Sequence, residues 1–163
     1  MIHFATFNTP LGLMAVSKNE DGVCRVMFPE AHPFGTRLKQ LYPNEIIVEN
    51  RAALGDARRQ LSEYFSGKRT SFNLKFHLSL PPFYKKVLKE VAKIPYGKTV
   101  SYKDIAERVG NPAAVRAVGG ANAHNPLPIL IPCHRVIAHD GSLGGYGGRP
   151  ERKAFLLELE RAL

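Results

Sequence analysis

Apolar and polar residues alternate with a period of two over the opening stretch, which predicts strands at residues 2–8, 13–18 and 23–28. Pro10-Leu-Gly12 and Glu20-Asp-Gly22 fall between them with turn chemistry, so the chain opens as a β-meander. Cys24 shares its parity with Val26 and Phe28 and reads as a packing residue. Residues 34–41 form a short helix ending before Pro43, and residues 45–48 (Glu-Ile-Ile-Val) a short strand. Residues 52–65 show helical spacing, with Ala53, Leu61, Tyr64 and Phe65 apolar and Gly67 as the stop. Residues 70–80 alternate again (Phe72, Leu74, Phe76, Leu78) and predict a half-buried strand.

After the boundary segment His77-Leu-Ser-Leu-Pro-Pro82 the pattern becomes helical. Residues 82–93 form a helix with Pro82 in its first turn and Tyr84, Val87, Leu88 and Val91 inward. Lys85, Lys86, Lys89 and Lys93 lie off that stripe, as a solvated face would. Ser101-Tyr-Lys-Asp104 has the form of a capping box, and the helix behind it runs through Ile105, Ala106 and Val109 to a stop at Gly110. Asn111-Pro112 starts a second helix at once, so the pair is a helix-turn-helix candidate. In that second helix Arg116 has Pro112, Ala113, Gly119 and Gly120 as neighbours at three and four residues' distance and stands on a bare face.

Residues 125–136 carry Pro126, Pro128 and Pro132 around Leu127, Ile129, Leu130 and Ile131. Prolines exclude helix and central strand, so the segment reads as a stiff, extended, buried rod presenting Cys133 and then His134. Five glycines in positions 141–148 surround Tyr146, a loop able to bring backbone amides to a ligand. A last helix starts at Pro150. Its Glu160 shares a face with Leu156 and Leu157, and a carboxylate turned to an apolar surface needs a partner, for which a histidine is suited.

These elements give an α+β protein with two domains, 1–78 and 79–163. Of its 163 residues 44% are hydrophobic, enough for two small cores, and the net charge is +9. Residues 1–82 hold 10 Lys/Arg and 7 Asp/Glu (net +3) and residues 83–163 hold 13 and 7 (net +6), so the second half is the better site for a polyanion. Nucleic acid comes first as that partner and an acidic membrane surface second. Cys24 and Cys133 belong to no CxxC pattern and the six histidines show no HxxxH spacing, which leaves no support for a metal site. No charged leader and no apolar run near ~18 residues is present, so the expected setting is soluble and intracellular, cytoplasmic or, in a eukaryote, nuclear. A thiol stays reduced there. With its pKa near ~8.5, such a thiol is only a few per cent thiolate at neutral pH, and an adjacent base supplies rate. Neighbouring residues on a strand point to opposite faces, so coupling Cys133 to His134 requires a turn that spacing does not reveal.

Pro132-Cys-His-Arg-Val136, with Arg116-Ala-Val-Gly-Gly120 and Asn125-Pro126 upstream and Gly145-Tyr-Gly-Gly148 downstream, resembles the O6-alkylguanine-DNA alkyltransferases. Ile94-Pro-Tyr-Gly-Lys-Thr-Val-Ser-Tyr102 also matches, so the detailed likeness spans about residues 83–163 and is one of layout over 1–82. The resemblance implies a small β-meander/helix (ribonuclease H-like) structural domain, then a mostly helical DNA-binding and alkyl-transfer domain. Cys133 would be the nucleophile, taking an alkyl group from O6 of guanine in one irreversible event, with O4-alkylthymine as a second candidate lesion. His134 would act through a water as base, Glu160 would orient it, and Asn125 would tie the rod to the helix-turn-helix. The target base must leave the duplex stack. Arg116 would fill the gap, Tyr102 would help push the nucleotide out, and Ala117 and Gly119 would lie on the DNA face. Val136, Tyr146 and Gly147 would form the pocket. The family sets its second helix in the minor groove, against the usual major-groove expectation.

The implied partner is double-stranded DNA containing O6-alkylguanine, bound by a monomer with no cofactor and no membrane. Gly147 replaces a serine found in many relatives, leaving a backbone amide. The first domain offers only Cys24 where some relatives bind zinc, so no metal is expected. Three alternatives remain: a non-catalytic alkyl-damage sensor, whose kind lacks the reactive cysteine; a helix-turn-helix transcription regulator, for which no dimerisation segment is visible; and a redox-sensing thiol, for which no resolving cysteine is near.

Overall fold

Strand β1 (Ile2–Thr9) pairs antiparallel with β2 (Gly12–Asn19), which pairs antiparallel with β3 (Gly22–Met27). Turns at glycines of positive φ, Gly12 and Gly22, join them. A short strand, β4 (Ile47–Glu49), adds in parallel to the free edge of β1, giving the order β3-β2-β1-β4. On one face Ile2, Phe4, Ala15, Cys24 and Met27 pack against Phe34 and Leu38 of helix α1 (Phe34–Leu41). The opposite parity (Ala5, Phe7, Met14, Val16) is also buried, and α2 (Gly55–Phe65) touches β1. Each fully buried side chain of this size contributes about 1.5–3 kcal/mol. The computed structural model describes residues 1–146 and 149–162, in two units, Met1–Leu78 and Ser79–Leu163.

Two predicted elements of the first unit differ. Helix α2 starts at Gly55 rather than 52, because the Asn50 side chain accepts from the Ala53 amide and holds a turn there. Residues 70–80 form no strand. Only Phe76 bridges β3, and the backbone of Asn73 is engaged by a helix side chain instead: Gln60 Nε2 donates to its carbonyl at 3.0 Å and Gln60 Oε1 accepts from its amide at 2.9 Å.

The second unit runs α3 (Pro82–Val91), β5 (Val100–Ser101), α4 (Tyr102–Arg108), α5 (Val115–Ala123), a 3-10 turn at Cys133–Arg135, β6 (Val136–Ile137) and α6 (Pro150–Leu159). The capping box of α4 forms in full: Ser101 Oγ accepts from the Asp104 amide at 2.9 Å, and Asp104 Oδ2 accepts from the Ser101 amide at 3.2 Å. Strand β5 pairs in parallel with β6, Val100 with Val136, which ties the start of α4 to the end of the Cys133 turn.

The second helix of the pair begins at Val115, not at Asn111. Asn111–Ala114 closes as a turn, the Ala114 amide donating to the Asn111 carbonyl at 3.0 Å, and Pro112 is spent inside it. Arg116 therefore stands in the first turn of α5, with Gly119 and Gly120 beside it. Pro112 and Ala113 are not on its helical face.

The proline-rich segment is buried, yet it is no extended rod. The Ile131 amide returns to the Leu127 carbonyl at 2.8 Å, and Ile129 sits at φ 73°, a left-handed conformation that a β-branched residue rarely adopts. Asn125 holds the fold-back, its Nδ2 donating to the Ile131 carbonyl and its Oδ1 accepting from the Leu127 amide, both at 2.9 Å. Backbone strain of this kind costs roughly 1–3 kcal/mol and persists only where surrounding contacts enforce it.

Candidate active site

Cys133, His134 and Arg135 form a single 3-10 turn launched by Pro132, the Arg135 amide donating to the Pro132 carbonyl at 2.9 Å. With three residues per turn, successive side chains are rotated by about 120° rather than flipped to opposite faces. That turn is the piece strand geometry could not supply. All three side chains are buried, Cys133 at 4% exposure and His134 at 0%. From α5, Asn122 Nδ2 donates to the Cys133 carbonyl at 3.1 Å and anchors the turn to the helix pair.

The imidazole connects two elements. His134 Nε2 lies 2.7 Å from Oε2 of Glu160, the residue that caps α6, while Nδ1 is buried with no partner among the described residues. Glu160 also receives Arg135: Nε donates to Oε1 at 2.7 Å and Nη2 to Oε2 at 2.9 Å. The third guanidinium nitrogen, Nη1, donates to the Ile94 carbonyl at 2.7 Å, and the group lies 5.7 Å from the centre of the Tyr96 ring.

Burial keeps the thiol and the imidazole uncharged at rest. Burial pushes the Cys133 thiol up; Asn125, Tyr146 and the charge of Lys153 oppose that shift without cancelling it. Burial likewise pushes His134 down, opposed by Glu160 and reinforced by Arg135 and Lys153. A thiol beside a neutral imidazole is therefore the resting pair, not a thiolate–imidazolium pair. The imidazole can take a proton as the sulfur is consumed.

Lys153, on α6, has no exposed surface. Its Nζ donates to the Val136 carbonyl at 2.5 Å and to the Tyr102 hydroxyl at 3.3 Å. Burial lowers its pKa to about 8, with Cys133 acting the other way. Tyr102 opens α4, and burial raises its hydroxyl pKa while Asn122 lowers it. Gly144, at φ +74°, packs so closely that an added Cβ would lie 3.2 Å from the Tyr102 ring.

Of the residues predicted from sequence, Cys133, His134, Glu160, Asn125, Tyr102, Val136 and Tyr146 belong to this one centre. Arg116 and Ala117 are exposed on α5 and Gly119 is half-buried, with open space where a Cβ would stand, and none of the three takes part in the hydrogen bonds of this centre given above. Gly147 lies outside the described residues. Three residues were missed. Lys153 precedes Leu156, Leu157 and Glu160 at helical spacing, and Asn122 follows Val118 and Ala121, so a polar side chain on an apolar stripe was the available signal. Arg135 had none, because its partner is distant in sequence. Among the described residues no group of three or more His, Cys, Asp or Glu could hold a metal ion, and no helix is long and apolar enough to cross a membrane.

A buried cysteine on a proline-launched 3-10 turn, followed by an imidazole–carboxylate pair and tied through Asn122 to a pair of short helices joined by a turn, defines this unit as a cysteine centre built onto a helix-turn-helix. Two family models cover the chain: the 6-O-methylguanine DNA methyltransferase ribonuclease-like domain over residues 2–78 and its DNA binding domain over residues 82–162. The chain belongs to the 6-O-methylguanine DNA methyltransferase family.

The constitutive methylated-DNA–protein-cysteine methyltransferase of Bacillus subtilis is 43% identical over 162 residues, covering 99% of this chain and 96% of that protein. The Methanosarcina barkeri methylated-DNA–protein-cysteine methyltransferase is 41% identical over 159 residues, covering 98% and 97%. Among solved structures, the Mycobacterium tuberculosis O6-methylguanine methyltransferase superposes with a TM-score of 0.86 at 38% identity, covering 99% of this chain and 94% of that one. M. tuberculosis OGT in complex with DNA gives 0.85 at 36% identity, covering 98% and 93%.

Proposed function

We propose that this protein repairs DNA directly, moving the alkyl group of O6-alkylguanine onto Cys133 in a single irreversible event. The carrying observation is the His134 arrangement: Nε2 engaged by Glu160, Nδ1 buried without a partner among the described residues, and the thiol on the preceding residue of the same turn. The thiol proton passes to His134 by way of a water. The Sγ–C bond forms as the C–O6 bond breaks, and the electron pair left on the purine takes up a proton to give guanine. A thioether remains, and among the described residues no group is suited to removing it, so each molecule acts once and the step uses no cofactor.

A cysteine at 4% exposure cannot reach into a stacked duplex, so the base comes to the sulfur. Residues 79–163 bind the duplex as a monomer, with the exposed first turn of α5 in the minor groove, and residues 1–78 serve as a structural domain. Ala117 and Gly119 allow the close approach and Arg116 fills the space left by the extruded nucleotide. Tyr102, held by Lys153, meets the ring edge, while Val136, Tyr146 and the backbone of Gly147 form the pocket. Asn125 holds the strained fold-back that aims Cys133.

Intact mass spectrometry after mixing with a duplex carrying O6-methylguanine tests the reading. The expected result is a 1:1 gain of one CH2 by the protein and loss of the lesion, with neither in Cys133→Ala. An unchanged protein mass with lesions repaired, or lesions untouched by a folded protein, overturns it.

A further inference from the structure

We infer that Arg135 is the positioning residue that fixes the tautomer of His134, by keeping Glu160 a carboxylate through a two-pronged contact. This rests on the reading of Cys133 as nucleophile and His134 as its base.

An arginine cannot release a proton, so every N–H it points at an oxygen requires an acceptor there. Arg135 aims one N–H at each oxygen of Glu160, at 2.7 and 2.9 Å, in the paired geometry that suits carboxylates. Both oxygens are thereby held as acceptors, and His134 Nε2, 2.7 Å from Oε2, must carry the hydrogen. A neutral imidazole has one N–H, so Nδ1 is left with its lone pair, the form a base needs. Without the guanidinium the chemistry inverts. A carboxyl group with no exposed side-chain surface favours its protonated form, and Glu160 would donate to Nε2. Nδ1 would then carry the hydrogen and could accept nothing from the thiol. His134 would still be present, in the same place, and inert.

The guanidinium is itself held so that it cannot drift off this task. Nη1 is fixed on the Ile94 carbonyl just past α3, and the plane lies against Tyr96. Besides Glu160 and Arg135, the charged group acting on His134 among the described residues is Lys153, from α6; the Cys133 thiol precedes it on the same turn, and Tyr102, from α4, faces Lys153.

The test reads the tautomer directly. In 15N-histidine-labelled protein, the shift of a ring nitrogen distinguishes one bearing hydrogen from one bearing a lone pair. The wild type should show His134 with Nδ1 bare and Nε2 protonated at pH 7, and the reverse assignment overturns the proposal whatever any variant does. Arg135→Met should exchange the two signals. Its Cys133 should alkylate with iodoacetamide and with an O6-methylguanine duplex only at higher pH, the midpoint moving by about one unit or more as Glu160 loses its proton unaided.

Arg135→Met, Glu160→Gln removes that titration, and the displaced midpoint should vanish with it. Arg135→Lys, which keeps the charge without the fork, should fall between wild type and Arg135→Met. A folded Arg135→Met with wild-type ring signals and an unmoved midpoint also sinks the idea; if it does not fold, the wild-type spectrum and Arg135→Lys decide. Because the ring signals and iodoacetamide are independent of DNA, a failure here is distinguishable from a failure to repair DNA.

Discussion

The ammonium of Lys153 lies 5.4 Å from the centre of the Tyr102 ring and 3.3 Å from its hydroxyl, with no surface of its own exposed to water. The cation thus lies deep in the centre that also holds the thiol. Its pKa near 8 against an unfolded value near ~10.4 fixes the sign of its effect. Between those values the unfolded chain binds more protons, so stability from this group rises with pH. Relative to Lys153→Met, the wild type should gain on the order of 3 kcal/mol between pH 7 and pH 10 in urea melts. The same variant should slow alkyl transfer, because Tyr102 and the Val136 carbonyl lose the group that positions them.

His134 gives the opposite end of the pH range. Its pKa is depressed by burial, so the folded protein resists charging it, and the unfolded chain binds the extra proton first. Stability should fall as pH drops below about 6.5, the ordinary imidazole value. Chemical denaturation of wild type and His134→Gln at pH 7.5 and pH 5 checks this. The wild type should lose more on acidification than the variant.

Asn125→Ala removes both side-chain bonds of the fold-back and strands the Leu127 amide, while the Ile131 carbonyl keeps only the bond from the Cys133 amide. A loss of about 3 kcal/mol is expected, seen as a lower urea midpoint at unchanged slope. Cys133 reactivity should fall further than stability explains, since the strained Ile129 backbone is then free to relax.

Arg116→Ala should cut repair of an O6-methylguanine duplex while leaving the salt dependence of DNA affinity nearly as it was. Replacing lysines that neutralise phosphates should instead flatten that dependence, by about 0.9 in slope for each phosphate left without its cation. Equal behaviour of the two kinds of variant would show that Arg116 is only another phosphate ligand.

Local signals make most of the fold legible in the sequence. The meander, α1 (34–41 as predicted), α3 and the Ser101–Asp104 cap depend on period and on neighbours within four residues, which a sequence displays. Residues 70–80 misled because alternation reports half-burial. The partner that takes up the Asn73 backbone is Gln60, 13 residues away on a helix. Asn111-Pro112 looked like a helix start because the pair suits a turn equally well.

In the site, the adjacency of Cys133 and His134 and the need of Glu160 for a partner were legible. The turn that lets the first two act together was not, since prolines forbid structures without choosing among those that remain. Arg135 was hidden because the carboxylate that neutralises it lies 25 residues on; Lys153 showed only as a polar side chain on an apolar stripe, and the Val136 carbonyl that receives it lies 17 residues back.

Glu160 reaches His134 across 26 residues of chain. On the proposed mechanism, a ribosome that has just made the cysteine has made a sulfur with no working companion, and the nascent protein would stay chemically mute until translation passes residue 160 and α6 docks. Prematurely terminated products would keep every recognisable motif up to the stop and still be unable to consume a lesion.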